Sequence, residues 1–280
     1  MKTTTVDQIR EAIAALCQRA NFELSHDMRT ALQAGVERET TPLARNTLLR
    51  ILKNADAAQA QRLPMCQDTG LVVIFADMGQ ELQIVGGTLR GAINEGVRQG
   101  TREGFLRASV TADPLKRQNT GDNTPAVIHL DLVPGDNLRL RLLAKGGGCE
   151  NMSRFKMLTP AEGRDGIVDF VLETAKLAGP NACPPIIVGV GIGGSFEYSA
   201  VLAKKALLRR IGERGPLPHV AELEDELFQK INATGIGPQG YGGKTTSLAV
   251  HIEVAACHVA SLPVSVNIEC HAHRHQEVTL

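Results

Sequence analysis

The 280-residue sequence predicts an α/β protein: an N-terminal helical segment followed by a mixed sheet with flanking helices, and a site built from loops. Three observations carry this expectation. Apolar residues recur at helical spacing from Val6 to about residue 60. Beyond Pro64, short β-branched apolar runs bounded by turn residues alternate with stretches of helical length. The 28 glycines and 3% aromatics demand many tight turns and close backbone approaches, as a site assembled from loops does.

The elements follow in order. Ile9, Ile13, Ala14 and Leu16 fall near one face, then Leu32 and Val36, then Leu43, Leu48, Leu49 and Leu52, which gives three helices. Ser25 and Thr41 stand as N-caps of the second and third, with Pro42 at a position where a first helical turn tolerates it. Residues 71–76 read as a buried strand and 82–85 as its partner. A helix over 88–103 precedes a polar loop from Asp113 to Pro125. Residues 126–133 and 138–144 alternate as an antiparallel pair around Pro134-Gly135-Asp136. Then come a helix over 161–177, a strand at 186–190, helices at 200–210 and 220–231, and strands at 248–254 and 264–268. No repeat, low-complexity tract or linker cuts the chain. One domain over 1–280 is expected, with a helical segment to residue 62 and an α/β part from 63.

Thirty basic residues balance thirty acidic ones, so no electrostatic footprint for nucleic acid or an anionic membrane exists. No stretch approaches the roughly 20 apolar residues of a membrane span, and Met1-Lys2-Thr3-Thr4-Thr5 leads into no apolar run. A cytoplasmic protein is expected. Its six scattered cysteines form no small disulfide framework, and a reducing compartment keeps them available for metal.

Cys66 in Pro64-Met65-Cys66-Gln67-Asp68-Thr69-Gly70, Cys183 in Ala182-Cys183-Pro184-Pro185 and Cys270 in Glu269-Cys270-His271-Ala272-His273-Arg274 each lie in a turn. None has a second cysteine two to four residues away, so the paired spacing of structural zinc is missing. Brought together, the three turns would supply three thiolates and leave one iron of a [4Fe-4S] cluster open to substrate. Cys17, on an apolar helical face, and Cys257, at a strand end, read as small buried hydrophobes.

Other motifs have competing readings. Asp68 suits an Asx-turn as well as a polar site wall. Lys145-Gly146-Gly147-Gly148 suits an anion nest or an ordinary strand-ending turn, and lacks the order of a P-loop. Gly189-Val190-Gly191-Ile192-Gly193-Gly194 satisfies the weak dinucleotide fingerprint, but no strand ending in an acidic residue follows its helix. Close packing of strand on helix explains it better.

Together and in this order, the segments Cys66-Gln67-Asp68-Thr69-Gly70, Lys145-Gly146-Gly147-Gly148, Ala182-Cys183-Pro184-Pro185, Gly235-Ile236-Gly237-Pro238-Gln239 with Gly242-Gly243-Lys244, and Cys270 with Arg274 resemble the class I iron-sulfur hydro-lyases, the fumarate hydratase and L(+)-tartrate dehydratase family. The match is to the α subunit or N-terminal half. The resemblance implies a [4Fe-4S] cluster on Cys66, Cys183 and Cys270, with Gln67, Asp68, Arg107, Gly147 and His258 contacting a small dicarboxylate, and Asp68 and His258 in catalysis. Arg107 is otherwise a surface ion-pair residue, and His258 is matched by standing twelve positions before Cys270. Arg274 is expected to hold the third cysteine loop. Cys149 is read as near the cluster without being a ligand, since related fumarases carry serine there; at His273 they carry an acidic residue.

The implied reaction is reversible dehydration of a 2-hydroxy dicarboxylate: malate to fumarate, or L(+)-tartrate to oxaloacetate. The chain stops at Leu280, just beyond the third cysteine motif, where single-chain relatives continue into a second half carrying the proton-abstracting base. A separate β subunit in an α2β2 enzyme is therefore expected. An iron-sulfur electron carrier or iron sensor, and a zinc hydrolase, are the readings of other classes.

Overall fold

The computed structural model describes residues 2–280. The α/β expectation holds: helices α1 (Val6–Phe22), α2 (His26–Arg38) and α3 (Pro42–Gln61) open the chain after a short strand β1 (Lys2–Thr5), and most of the strands and helices that follow alternate. Thr5 caps α1 through a capping box, its hydroxyl accepting from Gln8 N at 3.2 Å while Gln8 Oε1 accepts from Thr5 N at 2.8 Å. Thr41 Oγ1 accepts from Ala44 N at 3.3 Å, as a cap should. Ser25 precedes α2 but makes no side-chain cap. No helix among the described residues is long and apolar enough to cross a membrane.

Contacts divide the chain into two units. The first comprises Met1–Leu24, Asn54–Gly147 and Arg274–Leu280. It holds β2 (Leu71–Gly79), β3 (Leu82–Val85), α4 (Leu89–Glu103), β4 (Val127–Val133), β5 (Leu138–Lys145) and β10 (His275–Thr279). Two expectations are corrected here. Strand β3 pairs in parallel with β1, not with β2. Strands β4 and β5 do not form a hairpin: β2 lies between them, parallel to β4 and antiparallel to β5, in the order β10-β5-β2-β4. The reason is burial. Val72 through Ala76 of β2 are all buried, so this strand takes the centre, while β4 exposes Val127, Leu130 and Leu132 at the edge. Helices α1 and α4 cover the sheet with Ile9, Ile13, Ile93 and Val97.

The second unit comprises Ser25–Lys53 and Gly148–His273. Its sheet runs β6-β9-β7-β8, from β6 (Arg154–Leu158), β9 (Leu262–Glu269), β7 (Ile186–Gly193) and β8 (Ser247–Ala255). β7 and β8 are parallel and β9 is antiparallel to both neighbours. After the single turn of α5 (Gly147–Glu150), helices α6 (Gly163–Ala178), α7 (Phe196–Ala206) and α8 (Pro218–Asn232) belong to this unit, and Val171, Val188, Leu227, Val266 and Ile268 form the core. Gly189 and Gly191 lie within β7, where a Cβ would stand 2.1 Å from Ala203 O and 2.0 Å from Ser199 O of α7. The fingerprint is thus a packing device. Gly191→Ala is expected to lower stability by about 1–3 kcal/mol. Thermal unfolding should register this as a fall of about 2–4 °C per kcal/mol.

Candidate active site

In the first unit, the chain between α3 and β2 is fastened from several sides. Met65 N donates to Asn21 O at 2.9 Å, and Asn54 Nδ2 donates to Met65 O at 2.8 Å. Thr69 Oγ1 accepts from Arg107 N at 2.9 Å and donates to Arg107 O at 3.1 Å. Buried Asn123 donates to Gly70 O at 3.0 Å and accepts from Ser109 N at 2.9 Å, tying the two segments again. Arg274, 1% exposed, donates from Nη1 to the carbonyl of Asp68. Its side chain is therefore tied to the first cysteine loop.

These ties set the side chains. Cys66 and Asp68 are half-buried, and Gln67 and Arg107 are exposed. Asp68 Oδ1 accepts from Gly70 N at 3.0 Å, which is the expected Asx-turn, while Oδ2 accepts from Gly147 N at 2.7 Å. A carboxylate offers about four lone-pair directions, so two acceptor positions remain for another donor. Cys66, Gln67, Asp68, Arg107 and Gly147 thus belong to one bonded neighbourhood of this unit. Thr69, Asn123 and Asn54 position it. Nothing local in the sequence marks them, since their partners stand 38, 53 and 11 residues away.

In the second unit, Cys183 and Cys270 lie at one end of the sheet. β7 begins three residues after Cys183, β9 ends just before Cys270, and Ile187 pairs with Glu269 across the two antiparallel strands. Cys183 has a left-handed backbone, φ +53°, uncommon for a residue with a side chain and typical of turns that aim a group. The imidazole of His271 joins the two cysteine loops: its Nδ1 is 2.9 Å from Cys183 O and 3.0 Å from Gln239 Nε2, the tautomer deciding which bond it makes. Gln239 also donates from N and Nε2 to Pro184 O, at 2.7 and 2.9 Å. The Gly242-Gly243-Lys244 turn is held by the buried carboxylate of Glu39, which accepts from Lys244 N and Thr245 N at 2.9 and 2.6 Å.

One expected residue stands at the other end of this unit's sheet. His258 lies in the exposed turn between β8 and β9, its Nδ1 accepting from Ala260 N at 3.1 Å. The eight residues of β9 separate it from Cys270, roughly 26 Å at about 3.3 Å per residue. Cys257 is in the same turn and is exposed, correcting the buried reading. Cys17 is buried in α1 as expected, and burial pushes its thiol up to about 12.

Among the described residues, one group has the ligand atoms for a metal ion within 4.8 Å of one another: Cys149, Glu269 and Cys270. Glu269 carried no weight in the sequence reading, although it adjoins Cys270.

The sequence profile of the family described as Fumarate hydratase (Fumerase) matches residues 10–279. A Methanocaldococcus jannaschii protein named "Putative L(+)-tartrate dehydratase subunit alpha" is 42% identical over 275 residues, covering 95% of each chain. Proteins named "L(+)-tartrate dehydratase subunit alpha" from Escherichia coli strains UTI89 and K12 are 36% and 35% identical over 277 residues, covering 98% of this chain and 91% of theirs.

Proposed function

Because the chain belongs to the fumarate hydratase (fumerase) family of iron-sulfur hydro-lyases, we propose that it is the α subunit of a [4Fe-4S] enzyme that dehydrates a small 2-hydroxy dicarboxylate. Reversible malate–fumarate hydration is the leading reaction. L(+)-tartrate is the second reading, favoured by the names of the relatives. The observation that carries the proposal is the bonded neighbourhood beside Cys66 and Gln67, in which the Asp68 carboxylate accepts from Gly70 N and Gly147 N and the Arg107 backbone is bonded to Thr69 of the same turn.

Cys66, Cys183 and Cys270 would hold the cluster. The donor set fits: none of the three is in a disulfide, all are exposed or half-buried, and His271 already ties two of their loops together. When bound, the cluster supplies a Lewis acid that makes hydroxide a tolerable leaving group at neutral pH.

The chain's own residues bind and orient. Arg107 offers a planar fork to one substrate carboxylate, and the Gln67 amide donates to a substrate oxygen. The Gly147 amide now serves Asp68 and would transfer to the second carboxylate on binding, freeing an Asp68 oxygen to orient the reacting hydroxyl. His258 is proposed to act on that hydroxyl. Since β9 carries it to the sheet end opposite Cys270, it would reach a Cys270-containing site from a second α subunit, in keeping with an α2β2 assembly.

The test is anaerobic reconstitution with the cognate β subunit and assay with malate, fumarate and both tartrate enantiomers. Turnover of malate and fumarate above L(+)-tartrate supports the leading reaction; the reverse order selects the second. An electron carrier would turn over none of them, and substrate would leave its cluster spectrum unmoved. In the same complex, Arg107→Ala is expected to raise KM roughly 10- to 100-fold through loss of a charge-assisted contact. His258→Asn is expected to lower kcat by roughly 10²- to 10⁴-fold with the cluster spectrum intact. Wild-type kinetics in both would return these residues to plain surface roles.

A further inference from the structure

We propose that Cys149, Glu269 and Cys270 form a site for one thiophilic divalent cation, Zn²⁺ or Fe²⁺. We further infer that this ion and a cluster on Cys270 exclude each other, a consequence that rests on the ligand assignment proposed above.

The geometry is that of a single ion. Both sulfurs converge on the same carboxylate oxygen: Cys149 Sγ lies 3.4 Å and Cys270 Sγ 3.6 Å from Glu269 Oε1. Metal–sulfur bonds of about 2.3 Å and metal–oxygen bonds of about 2.1 Å at a tetrahedral angle give a sulfur–oxygen edge of about 3.6 Å and a sulfur–sulfur edge of about 3.8 Å. The observed pairs match the first, and the 4.8 Å limit over the whole group accommodates the second. An ion there takes the place of the two thiol protons now directed at Glu269. Three protein ligands leave one vertex for water.

The surroundings favour such an ion. Glu269 is 0% and Cys149 4% exposed, and Cys149 belongs to the apolar core of the second unit, with Cys270 packed against it. Two thiolates and a carboxylate give a cation three anionic ligands in surroundings shielded from water. Two sulfurs select a soft or borderline metal over Mg²⁺ or Ca²⁺. A cluster that takes one cysteine per iron has no use for two sulfurs this close, so Cys149 has no place in the three-cysteine set.

The experiment uses the full chain, purified anaerobically without a cluster and titrated with Co²⁺. One equivalent should produce sulfur-to-cobalt charge-transfer bands and the visible bands of a tetrahedral ion, and Zn²⁺ should abolish them. Cys149→Ser and Glu269→Gln should each weaken binding by roughly 100-fold or more, beyond the effect of losing a mere supporting residue, whereas Cys66→Ser and Cys183→Ser should leave it unchanged. Circular dichroism checks folding, and if one of the two variants misfolds the other decides. Zn²⁺-loaded wild-type chain should then resist cluster reconstitution, and the Cys149→Ser chain should reconstitute despite Zn²⁺. Absence of charge-transfer bands overturns the site. So does an equal loss of Co²⁺ in Cys66→Ser or Cys183→Ser, which would put the ion among the three cysteine loops. If the cobalt results hold but Cys270→Ser keeps a cluster, the ion site stands, the exclusion is overturned, and it is the ligand assignment that has failed.

Discussion

Serine in place of Cys66, Cys183 or Cys270 is expected to abolish the visible absorbance of the anaerobically reconstituted cluster, whereas serine at Cys17, Cys149 or Cys257 is expected to leave it. A hydroxyl binds cluster iron far less well than a thiolate, and with three protein ligands none can be spared. The other cysteines have physical reasons for standing apart. Cys17 is buried among apolar side chains, with its thiol pushed up to about 12, and does not supply a thiolate near neutral pH. Cys257 lies past β8, at the sheet end away from Cys183, with its sulfur 3.4 Å from Ser261 O. Iron and sulfide analysis should follow the absorbance in all six variants. Loss of the cluster in Cys149→Ser with retention in Cys183→Ser would sink the assignment.

The chain alone is expected to show no appreciable hydration or dehydration, and full activity is expected on anaerobic mixing with a β subunit. The relatives that this chain matches over almost their whole length are named as α subunits, which carries the expectation of a partner. A missing general base costs roughly 10²- to 10⁴-fold, and loss of substrate contacts from the partner adds to that. Size-exclusion chromatography with activity assays of each chain and of the mixture checks both parts. Turnover by this chain alone at the rate of the mixture would refute the two-subunit reading and require a base among Asp68, Lys145, Lys244 or His258.

Much of the local structure was legible because local patterns cause it. The spacing of Ile9, Ile13 and Leu16, then Leu32 and Val36, makes amphipathic helices wherever they pack, and α1 and α2 appear where that spacing runs. The Asp68 turn follows from a side chain that reaches its own backbone two residues on. The glycines of β7 were readable as a packing contact because no acidic strand end followed them. Pairing was less legible. That β3 joins β1, and that β2 separates β4 from β5, depends on which strand buries most surface in competition with all the others.

By itself, then, the sequence determined the class of the fold, the three cysteine turns and the family, because each depends on residue types at short spacing. Tertiary structure alone decided what each turn is fastened to. Arg274 reaches Asp68 across 206 positions, Gly147 reaches the same carboxylate across 79, and Cys149 meets Glu269 across 120. It also decided that His258, twelve positions from Cys270, stands at the far end of a strand, because β9 is extended and sequence spacing there converts directly into distance.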